Sequence, residues 1–108
     1  MASTTIPRGN VVMQKVFAVA LTPVSVAAAT TAEQNFTILG LQPGDYLNCQ
    51  CGGVQTAGIS VANVRVSAVN TATIAFNNST AGALVPAATT YGFVVGRPEN
   101  LPLDTNAL

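Results

Sequence analysis

Apolar residues recur at every second position through most of the chain, and no segment carries them at the three-and-four spacing of a capped amphipathic helix. Residues 11–21, VVMQKVFAVAL, form the first such run. Val11, Met13, Lys15, Phe17, Val19 and Leu21 fall on one face of a strand, and Val12, Gln14, Val16, Ala18 and Ala20 on the other. Pro23 ends or bends this run, because a proline cannot donate to a sheet ladder, and Val24 and Val26 begin a new extended piece. Residues 27–32 tolerate a helix but are short and rich in Thr. Residues 34–39 alternate again, with Phe36 and Ile38 on one side and Asn35, Thr37 and Leu39 on the other.

Leu41, Gln42, Pro43, Gly44 and Asp45 predict a type II turn, with Pro43 fixing φ at the first central position and Gly44 taking positive φ at the second. The turn delivers a strand over residues 46–51, where Leu47, Cys49 and Cys51 share the face opposite Tyr46, Asn48 and Gln50. Gly52 and Gly53 close it. Residues 59–67 form a strand whose phase changes: Ile59 and Val61 belong to one alternation, Val64 and Val66 to the other. One extra residue at Ala62 or Asn63, a β-bulge, returns all four side chains to the core. Val69, Asn70 and Thr71 turn the chain into residues 72–77, with Ile74 and Phe76 inward. A last strand over residues 89–95 aligns Tyr91, Phe93 and Val95.

Seven or eight short strands with turn signals at near-regular spacing predict an all-β, antiparallel sandwich or barrel. At 108 residues the chain fits one such domain, over residues 11–95. Residues 1–10 and 96–108 hold prolines and lack alternation, so they read as extended N- and C-terminal arms. The segment from Ser79, STAGALVPAATT, is a long uncharged loop: a contact surface, or a crossover between two sheets.

Charge changes the picture most. Charged residues make up 7% of the chain, against about 25% in a typical soluble domain. The surface must therefore be built from Thr, Ser, Asn, Gln and Ala, which are easier to desolvate than Lys or Glu and suit contact with protein. Four basic and four acidic residues give zero net charge. Arg8, Lys15, Arg65 and Arg97 are scattered, which argues against a nucleic-acid or polybasic membrane partner. No apolar run approaches the roughly 20 residues of a membrane span. Residues 16–29 are interrupted by Thr22, Pro23 and Ser25, and read as two strands rather than a signal-peptide core.

Candidate chemistry is sparse. The chain has no His, which removes Ser-His-Asp and Cys-His arrangements. Glu33, Asp45, Glu99 and Asp104 fall in separate turns or arms, so no pair of carboxylates is placed for glycosidase-like work. Cys49 and Cys51 lie one residue apart on one strand face, about 7 Å along the chain, too far for an unstrained disulfide. With no third Cys, a metal lacks ligands. The cysteines are expected as buried, reduced thiols. No cofactor and no enzymatic activity is expected. Three Asn-x-Ser/Thr matches, at Asn35, Asn77 and Asn78, are those a Thr- and Asn-rich chain yields by chance.

The order of motifs carries a resemblance. TTAEQNFTILGLQPGDYLNCQCGG, followed by GISVANVRVSAVNTATIAFNNSTAGALVPAATTYGFVVGRPE, spans an AEQ-F strand, a GL-x-x-GD turn, an N-x-RVSA-x-N hairpin, an I-x-F-x-N strand and a closing Y-x-x-V-x-RP. This order resembles small structural proteins of tailed bacteriophages, the capsid decoration or cement proteins, over about residues 24–103. The resemblance implies a jelly-roll-like sandwich on the outer capsid surface of the virion. It also implies a homo-oligomer, dimer or trimer, that clamps neighbouring major capsid protein subunits after assembly in the host cytoplasm. A tail, spike or head-fibre module of the same virus is the alternative, and a carbohydrate-binding sandwich a third. Candidate partner-binding residues lie in the arms, where apolar side chains and prolines combine: Ile6, Pro7 and Arg8 at one end, and Arg97, Pro98, Leu101, Pro102 and Leu103 at the other. Proline pre-extends such a segment and lowers the cost of ordering it in a groove.

Overall fold

The alternation becomes six strands in the computed structural model, which describes residues 10–99. These are β1 (Val11–Leu21), β2 (Thr30–Thr37), β3 (Tyr46–Cys51), β4 (Ile59–Ala68), β5 (Thr71–Asn78) and β6 (Thr89–Pro98). They form two three-stranded antiparallel sheets, ordered β1-β6-β3 and β2-β5-β4. The all-β, sandwich-like expectation holds. Among the described residues the strand count is six, not seven or eight. The piece begun by Val24 and Val26 contributes only a single bridge, in which Val26 and Leu84 exchange backbone hydrogen bonds of 2.7 and 3.1 Å.

Between the sheets lie alternate side chains of each strand, Ile74 and Phe76 among them as expected. Leu21, Leu47, Tyr91, Phe93 and Val95 come from one sheet, and Ile59, Ala72, Ile74 and Phe76 from the other. Val26, Ile38 and Leu41 close the ends. Phe76 links the layers, meeting the Tyr91 ring edge-on at 6.3 Å and Phe36 at 6.5 Å. Phe17 stacks on Phe93 at 5.4 Å within its own sheet. Such contacts add about 0.5–1.5 kcal/mol each beyond area burial.

Local signals landed where they were strong. Gly44 has φ +96°, and Asp45 N–H donates to Gln42 carbonyl at 3.0 Å, as a type II turn requires. The β4 register slips between Val61 and Asn63, which places the bulge at Ala62. Ile59 is thereby buried, and Val61, Val64 and Val66 pack against the core. Asn70 turns the β4–β5 hairpin with φ +58°, and its carbonyl and amide groups hold Ile38, Gly40 and Leu41.

Two boundaries differ from expectation. β2 begins at Thr30, so the helix-tolerant stretch ends in a strand; Ala29, at φ +52°, makes the corner, and its N–H donates to Thr80 carbonyl at 3.0 Å. β6 runs to Pro98, with Gly96 opposite Gln14 and Tyr46, and Arg97 opposite Met13. Arg97 and Pro98 therefore belong to the sandwich rather than to an arm. Pro98 is tolerated because it ends the strand.

Candidate functional site

The two outer faces of the sandwich are unlike. On the β2-β5-β4 sheet, several outward polar side chains are bonded to one another. Arg65 on β4 reaches across β5 to Glu33 on β2, with Nε to Oε2 at 2.9 Å and Nη2 to Oε1 at 3.0 Å. This hydrogen-bonded guanidinium holds the Glu33 carboxyl below the usual carboxylate range. Thr31 Oγ1 donates to Asn77 Oδ1 at 2.9 Å, and the Thr73 hydroxyl bonds Asn35 Oδ1 and Ser67 Oγ, each at 2.7 Å. The pair and its neighbours roof Thr73 and Ala75, which are buried although they point away from the core.

The outer face of the β1-β6-β3 sheet carries no charge. Cross-strand register sets it out in rows: Gln14, Gly96 and Tyr46; Val16, Val94 and Asn48; Ala18, Gly92 and Gln50; then Ala20 and Thr90. Val16 is 75% exposed and Tyr46 61%. Among the described residues the amides of Gln14, Asn48 and Gln50 have no side-chain hydrogen bond. A shallow depression of about 200 Å³ lies at Gly92, lined by Val16, Val94, Asn48 and Gln50 with Cys49 and Phe93. Alternation supplied this face correctly, but its lack of charge becomes visible only when three strands distant in sequence are laid side by side.

At one end of the sandwich the GD turn meets the RP motif. Arg97 Nε and Nη2 donate to the two carboxylate oxygens of Asp45, each at 2.9 Å, and Nη2 also donates to Gly40 carbonyl at 2.8 Å. The Asp45 side chain is 2% exposed and that of Arg97 26%. Asp45 further accepts from Gln42 N–H at 3.0 Å. The guanidinium first, and this N–H after it, hold the Asp45 carboxyl below its ordinary value. Arg97 is thus engaged within the chain. Of the other arm candidates, Pro98 ends β6, whereas Ile6, Pro7, Arg8, Leu101, Pro102 and Leu103 lie outside the described residues.

Asn78 is the polar residue that local signals missed. It is fully buried at the end of β5: Nδ2 donates to Val26 carbonyl (3.0 Å) and Gly82 carbonyl (2.9 Å), and Oδ1 accepts from Thr80 N–H (2.9 Å) and hydroxyl (2.7 Å). This hub pins the loop that leads from β5 to β6. The loop is held further by Thr56 Oγ1 to Val85 carbonyl at 2.8 Å and by Tyr91, whose hydroxyl donates to Ala87 carbonyl at 2.8 Å. It is the crossover between sheets, and its own Pro86 is buried.

A cleft of about 440 Å³ lies between β1 and the chain after β2. Met13, Phe17, Val19, Ile38, Leu39 and Leu41 line it, with Lys15 and Arg97 as its charged members. It offers apolar contact and no carboxylate, thiol or imidazole. Cys49 and Cys51 are both free and half-buried against the core. Burial, and secondarily the neighbouring Cys51, pushes the Cys49 thiol up to about 11. A thiol so placed stays protonated near neutrality and is a poor nucleophile. Among the described residues no helix is long and apolar enough to cross a membrane.

No family model, curated protein or solved structure matches the chain.

Proposed function

We propose that this chain is a virion structural protein, a decoration or cement protein that oligomerises on the outer surface of a bacteriophage capsid and clamps neighbouring major capsid subunits. The observation that carries the reading is the uncharged outer face of the β1-β6-β3 sheet, which presents exposed Val16 and Tyr46 and, among the described residues, amides without a side-chain hydrogen bond on three adjacent strands. Such a face is easy to desolvate against protein and has little to offer a charged metabolite or a polyanion. Two acid–base pairs among the described residues support the same reading, because Glu33 and Asp45 are each tied up by an arginine rather than presented to a substrate. A jelly-roll-like path belongs to this proposal. It is supported by a chain that changes sheet at the β1–β2, β2–β3, β3–β4 and β5–β6 connections. The arm residues Leu101 and Leu103 are proposed to supply apolar anchors on the capsid, each contributing about 1.5–3 kcal/mol if fully buried.

Electron microscopy of the intact particle tests the assignment. Density for this sandwich in hundreds of copies over the shell is the expected result. About a dozen copies or fewer, at a vertex or tail, favours the tail or head-fibre alternative. Absence from the particle overturns both.

A further inference from the structure

The outer face of the β1-β6-β3 sheet carries a knob and a hole side by side. Val16, 75% exposed, stands in the row with Val94, and the adjacent row holds Gly92, where the missing side chain leaves the depression. Knob and hole are separated by one step of the outward alternation, about 7 Å along the strand. A twofold axis lying in the interface plane midway between them sets Val16 of each copy over Gly92 of the other. This is the condition for an isologous contact: residue i meets j while j meets i.

We infer that this face is a twofold self-association surface, whose occupant is the same face of a second copy of this chain. Charge supports that occupant, since a face without charge presents no like-charge repulsion to its own copy, whereas the opposite sheet carries the Glu33–Arg65 pair and bonds Thr31 to Asn77 and Thr73 to Asn35 and Ser67. The amides of Gln14, Asn48 and Gln50 point the same way. Each amide has both donors and an acceptor, so each can pair with an amide of an identical surface. At about 4.8 Å between strands and 3.4 Å per residue, the face measures roughly 15 by 25 Å in plane. Counted on both copies and with side-chain relief, it approaches the ~1,000 Å² at which specific interfaces begin. A contact of this size at the lower limit is expected to be reversible. The inference deepens the proposed oligomeric role by naming the surface and its symmetry, but it can be tested without a capsid.

Sedimentation equilibrium of the full chain over about 1–200 µM provides the test, alongside Val16→Asp, which places a charge at the knob, and Gly92→Val, which fills the hole. A Cβ at Gly92 meets within the chain only Gln50 Cγ, at 3.7 Å, an ordinary contact, so the fold should survive. Far-UV circular dichroism checks that it does. Ser60→Asp, on the opposite sheet, is the control. The expected result is a monomer–dimer equilibrium that both face variants weaken at least tenfold and the control leaves unchanged. A wild-type chain monomeric throughout, a trimer, or a dimer indifferent to both face variants overturns the inference. Binding to purified empty capsids separates the two readings. Wild-type dimers that ignore capsids defeat the cement role while leaving the twofold contact standing, and monomers that decorate capsids do the reverse.

Discussion

Replacing Arg97 by Met removes the guanidinium and keeps most of the aliphatic length, which isolates the ionic contribution of the clamp. Asp45 then loses two of its three hydrogen bonds and retains only that from Gln42 N–H, while its side chain stays 2% exposed. Gly40 carbonyl loses its Arg97 donor as well. Breaking a fully buried ion pair costs about 3–5 kcal/mol because a charge is left uncompensated. Arg97 is 26% exposed, so water enters part of the gap, and a loss of about 2–3 kcal/mol is expected at pH 7. For a domain of this size that corresponds to a fall in Tm of roughly 10–20 °C.

The pH dependence gives the reasoning a second handle. The folded state holds the Asp45 carboxyl below its unfolded value of about 3.9. Its contribution is therefore fully present above that value and is lost as pH falls through the lower, folded pKa. Urea unfolding followed by far-UV circular dichroism should show the cost of Arg97→Met shrinking between pH 7 and pH 3. The double variant Arg97→Met with Asp45→Leu leaves no unpaired charge and should recover at least about 1 kcal/mol relative to additivity. A single-variant cost below about 0.5 kcal/mol at pH 7, or an equal cost at both pH values, would refute the account.

Gly58→Ala should cost more than Gly40→Ala in urea titration, by at least about 1 kcal/mol: both glycines hold positive φ, but a Cβ at Gly58 runs into Thr80 Cγ2 while one at Gly40 meets nothing within 4 Å. Asn78→Ala should lower stability by about 2–4 kcal/mol, since buried carbonyls and N–H groups lose their partner. Asn78→Asp should not rescue it, because an ionised carboxylate cannot donate to Val26 and Gly82; rescue above 1 kcal/mol would show the Nδ2 bonds to be unimportant. Iodoacetamide at pH 7.5 should label Cys49 at least tenfold more slowly in the native chain than in urea, given a thiol raised to about 11. Deleting residues 100–108 should leave far-UV circular dichroism unchanged and weaken binding to empty capsids; undiminished binding would move the capsid contact onto the sandwich.

What the sequence made legible was local. Alternation identified the strands at residues 11–21 and 46–51 because each has one buried face, and the slip at Ala62 announced itself as two out-of-phase valine pairs. The Pro43-Gly44 turn needed only two dihedral preferences. Non-local pairing was not legible. Asp45 and Arg97 are 52 residues apart, and nothing near either says that they meet. Gly96, Arg97 and Pro98 read as an arm because glycine and proline break strand propensity, yet β1 supplies the ladder that holds them. Asn78, placed beside Asn77 and Ser79, has the look of a turn, and only the packing of Val26 and Gly82 around its amide makes it a core residue.

The distribution of charge joins these particulars. The described chain spends its two carboxylate–arginine pairs on architecture: Glu33–Arg65 roofs one sheet, and Asp45–Arg97 locks the turn to the end of β6. What remains on the other sheet is a neutral face with one knob at Val16 and one hollow at Gly92. Burying an uncharged amide against another amide replaces water hydrogen bonds nearly one for one, whereas burying a lysine or glutamate would need an exact partner. A face of Val, Ala, Gly, Gln and Asn therefore associates on shape and loses little to salt screening. Self-association through it should consequently be almost unchanged between 50 mM and 500 mM NaCl. A dissociation constant that rises more than about fivefold over that range would mean that ion pairs carry the contact, and would place it away from this sheet.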